Sequence, residues 1–495
     1  MIKIHDKALK KLPKFWNSCV FHPTDAIEDP WGRRILDRMA KDGAISMVRI
    51  YSMFEDVVYL DEDGGLCYDF RLSDLRLDYL MEKGFDLLIS YAGIPDCIAS
   101  SLSSKTSVSK NKTRYKGKLW NAAPPRDYAL WEEICYEYTK HNVERYGIET
   151  VAKWRCQCFN EPDINLFFLP ELGENENANQ VRLAEYCKLY EAFERGVRRV
   201  SERICIGGPA FGVHIAFLEG FLDHVKEKQL KLDFVSLHGY GTTPHALNNG
   251  SRPYAVSSLT DMFGKYIDTI YAHGFPQVTV LIDEWGMASA GFYNKEECPL
   301  LMARETEVCS AYFIKLIAEF IRLGFPVEML AICLSGQHEM VEDFSGFRNF
   351  FTLNFIAKPI YNAHLMTSKI YDHLVLADCG NKNVFTIPTK NNEGDYAVLL
   401  TYSTENFEDD LPTITREMVF DDDISDKIVT VYCIDKVHTN PYRMWERAGK
   451  PDMTEERIKE LRDEGKMKPV KVQSGSETLS LKLTSNCTYL ITVTK

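Results

Sequence analysis

Length and charge limit the classes of protein to which this sequence can belong. The chain has 495 residues, more than one ordinary hydrophobic core covers, so we expect two domains. Acidic residues outnumber basic ones by 71 to 58 and the net charge is -13, which argues against nucleic acid or an anionic membrane as a partner. The net charge does not exclude neutral polysaccharides as ligands.

The amino-terminal segment and the cysteines predict a cytoplasmic protein. The segment MIKIHDKALKKLPKFW holds no apolar run of signal-peptide length, and no stretch of the chain approaches the roughly 18 apolar residues of a membrane span. The 14 cysteines stand mostly alone in apolar runs, where cysteine behaves as a small buried hydrophobe. Cys156 and Cys158 have a C-x-C spacing, but no second pair follows at zinc spacing, so we favour core packing and expect neither a metal nor a cofactor.

Eight short apolar runs alternate with amphipathic helical patterns through residues 15–370. The pattern in Leu183–Val200, for example, places one apolar face at helical spacing. Because eight strands that are each followed by a helix close into a parallel barrel, we expect an α/β fold, a (β/α)8 TIM barrel with its chemistry at the carboxyl ends of the strands. The predicted strands are Phe15–Phe21, Ile45–Tyr51, Phe85–Tyr91, Trp154–Asn160, Ile204–Gly208, Phe234–His238, Val278–Glu284 and Met329–Leu334.

Two long polar segments, Ser100–Pro125 and Glu171–Gln180, interrupt this pattern. Segments of that length without periodicity are typical of binding loops or mobile loops, and both would rise from the carboxyl ends of the strands.

The last third of the chain has strands without intervening helices, apart from one helical insert at Thr454–Glu464. Alternating apolar residues and Asn and Gly turn signals predict an antiparallel β-sandwich, which the amino-terminal strand Ile2–His5 is expected to join. We therefore expect an amino-terminal strand segment at 1–14, a catalytic barrel at 15–370 and a β-sandwich domain at 371–495. The predicted strands of the sandwich are Val384–Ile387, Tyr396–Tyr402, Ile428–Tyr432, Leu479–Leu483 and Tyr489–Val493.

Two carboxylates stand at the predicted carboxyl ends of the fourth and seventh barrel strands. The run KWRCQCFNEP ends the fourth strand with Asn160 and Glu161, and VTVLIDEWG ends the seventh with Glu284. Across the mouth of a barrel, one carboxyl group can protonate a leaving oxygen while the other attacks carbon, which is the layout of a glycosidase. Asn160 is suited to hold a sugar hydroxyl beside the scissile bond.

Three further polar residues are expected near this pair. His238 and Tyr240 are two apart on the sixth strand and therefore face one side, and a phenol there can donate a hydrogen bond to the attacking carboxylate. Arg49, at the end of the second strand, can act through its charge, and such neighbours separate the pKa values of two carboxyl groups. Taken singly, each has a plain alternative: a structural histidine, a turn at Asn-Glu-Pro, or pairing of Arg49 with Glu55 or Asp56.

Several segments together carry a family resemblance that covers nearly the whole chain: MVRIYSMFEDVV, KWRCQCFNEPDI, DFVSLHGYG, VLIDEWG and NPYRMWERAGKPDM. The sequence resembles glycoside hydrolase family 39, the family of β-xylosidases and α-L-iduronidase. This resemblance implies a retaining, exo-acting glycosidase with Glu161 as acid/base and Glu284 as nucleophile, and self-association. It also implies that Asn160 binds a 2-hydroxyl group. The expected supporting or substrate-binding residues are Arg49, Tyr51, His238, Tyr240 and Trp285.

Three positions depart from the pattern of the xylosidases that the chain resembles. Tyr51 stands where they usually have His, Asp283 where Thr is common, and Cys333 lies in an eighth strand that usually carries an aromatic wall. We expect an acidic residue at 283 either to find a partner among the helices or to mark a changed site. A β-xylosidase-like enzyme that acts on oligosaccharides or small glycosides is the leading interpretation.

Two alternatives stay open. One is the same mechanism on an arabinoside, galactoside, glucoside or iduronide. The other is a catalytically inactive barrel that binds carbohydrate. Retention predicts that the two carboxyl groups lie about 5 to 5.5 Å apart.

Overall fold

Two β-sheets organise the molecule, a closed barrel of eight parallel strands and a separate curled sheet of nine strands. The computed structural model describes residues 1–21, 27–103, 105–106, 120–242, 255–289, 295–296, 298–334, 340, 342–407 and 409–495. Strand β1 (Ile2–Lys11) belongs to the nine-stranded sheet, and the chain then enters the barrel. This architecture confirms the predicted fold class. The boundaries at residues 14 and 370 stay predictions.

The barrel strands follow one another in the order of the chain, and each of the eight predicted runs overlaps one of them. Two short hairpins, β4–β5 and β7–β8, branch from the loops after the second and third barrel strands. The barrel strands are β2 (Ser18–Val20), β3 (Met47–Tyr51), β6 (Asp86–Tyr91), β9 (Arg155–Cys158), β10 (Cys205–Phe211), β11 (Phe234–Tyr240), β12 (Thr279–Gly286) and β13 (Val327–Cys333), and the hairpin strands are β4 (Val58–Leu60), β5 (Leu66–Tyr68), β7 (Lys105–Thr106) and β8 (Trp120–Asn121).

Helices cover the outside of the barrel and return the chain to the amino end of each next strand. The first begins where Asp29 accepts a hydrogen bond from the Trp31 amide, and it ends at Gly43, whose φ of 65° suits glycine. The described helices of the barrel are α1 (Pro30–Asp42), α2 (Arg71–Glu82), α3 (Tyr128–Tyr146), α4 (Ile148–Val151), α5 (Ala178–Val200), α6 (Ile215–Lys228), α7 (Val256–Ala272), α8 (Glu307–Leu323) and α9 (Pro359–Thr367), with 3₁₀ turns at Phe54–Asp56 and Pro299–Glu305. Among the described helices, none combines the length and apolar character that a membrane span requires.

The second sheet is antiparallel except where β1 runs parallel to its neighbour β17. Its strand order is β19-β18-β21-β16-β15-β14-β1-β17-β20, so β1 lies inside the sheet, as predicted for Ile2–His5. The predicted insert is the helix α11 (Glu455–Glu464), preceded by α10 (Pro441–Arg447). The strands are β14 (His373–Asp378), β15 (Val384–Lys390), β16 (Tyr396–Tyr402), β17 (Ile414–Phe420), β18 (Ile428–Ile434), β19 (Pro469–Ser474), β20 (Leu479–Leu483) and β21 (Cys487–Thr494).

The two polar segments have different outcomes. Most of Ser100–Pro125 lies outside the described residues. Glu171–Gln180 is irregular and exposed up to Asn177, whose side chain accepts hydrogen bonds from the first amides of α5.

Buried polar contacts join the barrel to the second domain. Glu307, at the start of α8, accepts hydrogen bonds from Asn440 Nδ2 at 2.9 Å and from Arg443 Nε and Nη2, both at 3.1 Å. Lys315 on the same helix pairs with Glu405. Because Glu307 and Lys315 are buried, these bonds fix how the two units pack.

Candidate active site

The barrel interior is layered beneath its mouth. An apolar plug fills the end near the amino termini of the strands. Fully buried polar side chains lie next to the plug on the side of the carboxyl ends of the strands, and Glu161 and Glu284 lie beyond them at the barrel mouth. The plug contains Leu88, Phe234, Leu281, Met329 and Ala331, and the buried polar layer contains Arg49, Gln157, Ser236 and Asp283.

The chain twists sharply where β9 ends. Phe159 and Glu161 both have left-handed backbone conformations, with φ of 66° and 44°, which cost a side-chain-bearing residue about 1–3 kcal/mol each. The Phe159 amide donates to the carbonyl of Tyr91, and the Glu161 amide donates to the carbonyl of Ala210, at 3.1 and 3.0 Å. These bonds to both neighbouring strands hold the twist, which turns Asn160 and Glu161 toward the barrel mouth.

A β-bulge brings two consecutive acidic residues of β12 into the barrel. Ile282 pairs with Leu237 and Glu284 with His238, which leaves Asp283 as an extra residue on β12. An extra residue breaks the in-and-out alternation of a strand, so neighbours in sequence can face one side. Asp283 and Glu284 therefore both contact groups inside the barrel.

Asp283 has its partners in the barrel interior and not among the helices, which was the first of the two expectations for an acidic residue at this position. Its Oδ2 atom lies 2.9 Å from Arg49 Nε and accepts a hydrogen bond of 2.6 Å from Gln157 Nε2. Arg49 and Asp283 have 0% of their side chains exposed. The predicted pairing of Arg49 with a barrel carboxylate thus exists, but its nearest carboxylate is Asp283, while Glu284 Oε2 is 3.9 Å from Arg49 Nη1.

His238 links the two glutamates. Its Nδ1 atom lies 2.7 Å from Glu161 Oε1 and 2.9 Å from Glu284 Oε2, and its Nε2 atom is 3.4 Å from Asp283 Oδ2. One oxygen of Glu161 and one of Glu284 lie within 4.8 Å of each other. This upper limit on the distance between the two oxygens is compatible with the spacing of about 5–5.5 Å that retaining glycosidases have between their carboxyl groups.

Asn160 is held by its carbonyl end. Its Oδ1 atom accepts hydrogen bonds from Arg49 Nη2 at 2.7 Å and from the Tyr51 hydroxyl at 3.2 Å. Tyr51 in turn accepts from Arg49 Nη1 at 3.1 Å. Because both bonds use the oxygen, the amide nitrogen of Asn160 is the end that can donate to a ligand.

Tyr240, which was expected to donate to Glu284, contacts Arg348 instead, and Cys333, for which the sequence suggested no role, contacts Glu284. The Tyr240 hydroxyl accepts a hydrogen bond of 2.9 Å from Arg348 Nη1, and the expected bond from Tyr240 to Glu284 is absent from the contacts of the described residues. Instead, the thiol of Cys333 donates to Glu284 Oε1 at 2.7 Å. The eighth strand thus supplies a hydrogen-bond donor rather than an aromatic wall at this point.

Trp285 is not brought to the carboxylates. It follows Glu284 on the strand and packs outward, where its ring stacks on Tyr312 and Phe313 of α8 at centroid distances of 6.4 and 5.8 Å. Only 1% of Trp285 is exposed. Beyond the bulge its side chain belongs to the helix layer, so the structure does not bring Trp285 to the two glutamates, and a supporting or substrate-binding role stays a prediction.

The surroundings give the two glutamates opposite pKa shifts. Burial raises the pKa of Glu161, and its hydrogen bond with His238 only partly offsets this effect. Glu284 is also penalised by burial, but the charges of His238, Arg49 and Arg348 outweigh that penalty and hold its pKa well below the usual range. The site therefore pairs a carboxyl group whose protonated form is favoured with one whose ionised form is favoured.

Sequence reasoning missed three residues that organise the mouth. Gln157 donates hydrogen bonds to Asp283 and Ser236 and accepts one from Arg49. The only sign of this role in the sequence is that a polar residue stands inside the apolar run KWRCQCF. Arg348 lies in an irregular segment that no periodicity marks. The carboxylate of Asp163 accepts from three backbone amides at 212–214 and thereby fixes the loop beside Glu161.

Two groups of described side chains have donor atoms that could hold a cation. One is the site itself, Glu161, His238 and Glu284. The other, Cys433, Asp435 and His438, lies in the second domain, where the Asp435 carboxylate already accepts from the backbone amides of residues 437 and 438.

A closed parallel barrel that presents two glutamates with opposite pKa shifts from its fourth and seventh strands is typical of the class of barrel glycosidases. A family model described as Glycosyl hydrolases family 39 matches residues 1–478. The chain belongs to glycosyl hydrolases family 39 and is a glycoside hydrolase, as the resemblance implied.

Individual relatives agree with the family. A β-xylosidase from Caldicellulosiruptor saccharolyticus is 25% identical over 490 residues, which cover 95% of this chain and 92% of that protein. An α-L-iduronidase from Homo sapiens is 24% identical over 291 residues, which cover 53% of this chain and 39% of that protein. The structure of a family 39 β-xylosidase from Caulobacter crescentus has a TM-score of 0.79 at 19% identity, covers 100% of this chain and 99% of that one, and shares the fold.

Proposed function

We propose that Glu284 is the nucleophile and Glu161 the acid/base of a retaining, exo-acting β-glycosidase. The observation that carries this proposal is that His238 Nδ1 contacts both carboxyl groups, at 2.7 and 2.9 Å, and that one oxygen of Glu161 lies within 4.8 Å of one oxygen of Glu284. An inverting enzyme needs about 6.5–9.5 Å to place a water molecule opposite the leaving group. The raised pKa of Glu161 and the lowered pKa of Glu284 support the same assignment of roles.

The reaction has two steps in this proposal. Glu161 transfers its proton to the glycosidic oxygen while Glu284 attacks the anomeric carbon, so the bond to the leaving group breaks and a glycosyl ester forms on Glu284. Glu161, now ionised, takes a proton from water as the water oxygen attacks the anomeric carbon, and Glu284 is released as a carboxylate. Asn160 holds the 2-hydroxyl group of the sugar through its amide nitrogen.

The leading substrate is a β-xyloside. Its support is the similarity to a β-xylosidase over 95% of this chain. The arabinoside, galactoside, glucoside and iduronide alternatives keep the same mechanism. A screen of aryl glycosides distinguishes these substrates. If the enzyme hydrolyses none of the pentosides, the xyloside assignment is contradicted, but the roles proposed for the two glutamates are not affected.

The mechanism is tested by Glu284→Gln and by the stereochemistry of hydrolysis. We expect Glu284→Gln to lower kcat/KM at least about 10³-fold, because an amide can neither attack the anomeric carbon nor carry the negative charge that stabilises the transition state. Proton NMR of the first sugar released by the unmodified enzyme should show the anomer of the substrate.

The matched control is Glu227→Gln, which makes the same chemical change on an exposed face of α6 and should leave kcat/KM unchanged. Release of the opposite anomer, or full activity of Glu284→Gln on every accepted substrate, would overturn the assignment.

A cytoplasmic location is part of the proposal. Its support is that all fourteen cysteines are free thiols, as is usual in a reducing compartment. Self-association, which the family resemblance implies, stays a prediction that light scattering of the purified chain can check.

A further inference from the structure

Three charged side chains are buried beside the segment that carries Arg348. Arg304 and Glu305 end the 3₁₀ turn at Pro299–Glu305, and Lys358 directly precedes α9. Their exposed fractions are only 5%, 0% and 1%. Burying a charge is costly unless the group is paired and hydrogen-bonded, so the partners of these side chains indicate their role. We name Arg304, Glu305 and Lys358 the buried triad.

The buried triad bonds to the two residues before position 348. The amide of Gly346 donates a hydrogen bond to Glu305 Oε1 at 2.7 Å, and the Gly346 carbonyl accepts one from Arg304 Nη1 at 3.0 Å. Lys358 Nζ donates to the Phe347 carbonyl at 3.0 Å and to Glu305 Oε1 at 2.6 Å. Charged groups make stronger hydrogen bonds than neutral ones, so these contacts fix the backbone at residues 346 and 347.

The backbone on both sides of Arg348 has little room to move. Gly346 has a φ of 77°, in the region that favours glycine, and a Cβ atom there would lie 3.2 Å from the carbonyl carbon and oxygen of Leu301. On the other side, Asn349 Oδ1 accepts hydrogen bonds from the amides of residues 350 and 351 at 2.7 and 3.3 Å. The segment is therefore held before and after Arg348.

The fixed backbone places the guanidinium of Arg348 at the barrel mouth. Arg348 Nη1 donates to the Tyr240 hydroxyl at 2.9 Å, and Arg348 Cζ lies 5.7 Å from the centroid of the Tyr240 ring. Arg348 and Cys333 line one small cavity, and the Cys333 thiol donates to Glu284 Oε1. The charge of Arg348 favours the ionised form of Glu284. A long side chain has many rotamers, so a fixed backbone helps to keep this charge in one place.

We propose that the buried triad is a positioning group of the active site, which holds residues 346 and 347 so that Arg348 stays on Tyr240 near Glu284. The proposal rests on the proposed role of Glu284 as the nucleophile. It extends the site to three residues that act through Arg348. The alternative is that the triad stabilises the packing of this segment without any effect on Glu284.

The acid limb of kcat/KM separates these two roles, because activity requires ionised Glu284. The other ionisable groups near Glu284 are left unchanged when the triad is altered, so they are not the source of a shift. These groups are Arg49 and Tyr51 on β3, Glu161 after β9, His238 and Tyr240 on β11, Asp283 on β12 and Cys333 on β13.

The test is the pH dependence of kcat/KM for an accepted aryl glycoside in the pair variant, Glu305→Gln with Lys358→Met. This variant loses one negative and one positive charge, so the direct electrostatic effect of the two changes on Glu284 largely cancels. We expect the acid limb to move to higher pH and kcat/KM to fall at least about threefold, because Arg348 is no longer held on Tyr240. Arg348→Met should move the limb in the same direction.

A double-mutant cycle shows whether the triad acts through Arg348. In the Arg348→Met background, the pair of changes at 305 and 358 should move the acid limb no further, since the group that the triad positions is gone. Equal shifts with and without Arg348 would overturn the proposal. Gly346→Ala displaces the same segment with all charges kept, so it should also move the acid limb, and it tests the proposal if the pair variant does not fold.

The matched control is Lys315→Met with Glu405→Gln, which removes another buried lysine and its glutamate partner. This variant should have a lower Tm and an unchanged acid limb. If the limb stays in place in both the pair variant and Gly346→Ala, or moves equally in the control, the proposal is overturned and the triad has only a structural role. Full activity of Glu284→Gln would instead report failure of the nucleophile assignment, which is thereby distinguished from these outcomes.

Discussion

Glu161 and Glu284 share one histidine nitrogen, yet their other neighbours separate their pKa values. Glu161 is affected mainly by burial, which favours the neutral acid. Glu284 has Arg49 and Arg348 nearby in addition to His238, and these charges favour the carboxylate. These opposite shifts favour the protonated form of Glu161, which agrees with the proposed role of this residue as the acid.

The pH dependence of activity should reflect this separation. Activity requires ionised Glu284, whose pKa is lowered, so the acid limb of kcat/KM should lie below the ordinary glutamate range. It also requires protonated Glu161, whose pKa is raised, so the alkaline limb should lie above that range. Glu161→Gln, assayed with an aryl glycoside whose leaving group needs no protonation, should lose the alkaline limb and keep the acid limb. An unchanged alkaline limb would show that another group supplies the proton.

Cys333 is expected to tune the nucleophile. Cys333→Ala removes the hydrogen bond to Glu284 Oε1, so kcat/KM should fall roughly threefold to tenfold, the equivalent of one hydrogen bond of about 0.5–1.5 kcal/mol. The acid limb should move to higher pH because the carboxylate loses a donor that stabilises its charge. Cys333→Ser keeps a donor in this place and is the matched control, with activity closer to that of the unmodified enzyme. Identical acid limbs in the two variants would contradict the tuning role.

At the scale of secondary structure, glycine permits the close packing of α3 and α5. A Cβ atom on Gly196 would lie 2.4 Å from the carbonyl oxygen of Glu132 and 3.0 Å from Cβ of Cys135. Gly196→Ala should therefore lower the free energy of unfolding by about 1–3 kcal/mol, although alanine is the better helix former. Thermal unfolding measures this change.

The control for that substitution is Gly264→Ala in α7. The nearest neighbouring atom to a Cβ there is Cζ of Phe325 at 3.6 Å, so space is available and the substitution should be neutral or stabilising by up to about 1 kcal/mol. A smaller loss at 196 than at 264 would contradict the packing argument.

The strands and both glutamates could be predicted from the sequence because apolar runs and the polar residues that end them are local signals. The orientation of residues 283 and 285 could not. If side chains alternated strictly along β12, Glu284 would face the barrel interior and Asp283 would face the helices. The β-bulge turns Asp283 inward instead, and it depends on how β12 pairs with β11, which the local sequence does not indicate. The left-handed conformation of Glu161 is likewise imposed by hydrogen bonds to neighbouring strands. Arg348 comes from an irregular segment, so only the folded chain brings it to Tyr240.

At the scale of the whole molecule, Glu307 connects the barrel to the second domain. Its side chain is fully buried, and Glu307→Ala would leave Arg443 and Asn440 without their shared acceptor. We expect a loss of about 1–3 kcal/mol of stability, because the buried contact loses its shared acceptor, while Arg443 keeps its ion pair with Glu446 at 2.7 Å and Asn440 keeps its bond to the Asp435 carbonyl. Thermal unfolding should show a lower Tm, and limited proteolysis should show earlier cleavage in the second domain.

Glu319→Ala on the same helix is the matched control. Glu319 pairs with the exposed Arg322, so its removal should change stability by less than about 1 kcal/mol. Equal effects of the two substitutions would show that the buried contact does not stabilise the packing of the two domains.

The position of β1 inside the second sheet has a consequence for synthesis on the ribosome. His5 bonds to Asp378 and Asp421, which lie 373 and 416 residues further along the chain, and Ile2 and Ile4 are fully buried in the finished sheet. At translation rates of about 5–20 residues per second, this strand waits roughly 20 to 80 seconds for its partners to be made. During that time its apolar face is available to chaperones, and the strand stays unpaired until its neighbours β14 and β17 have been made.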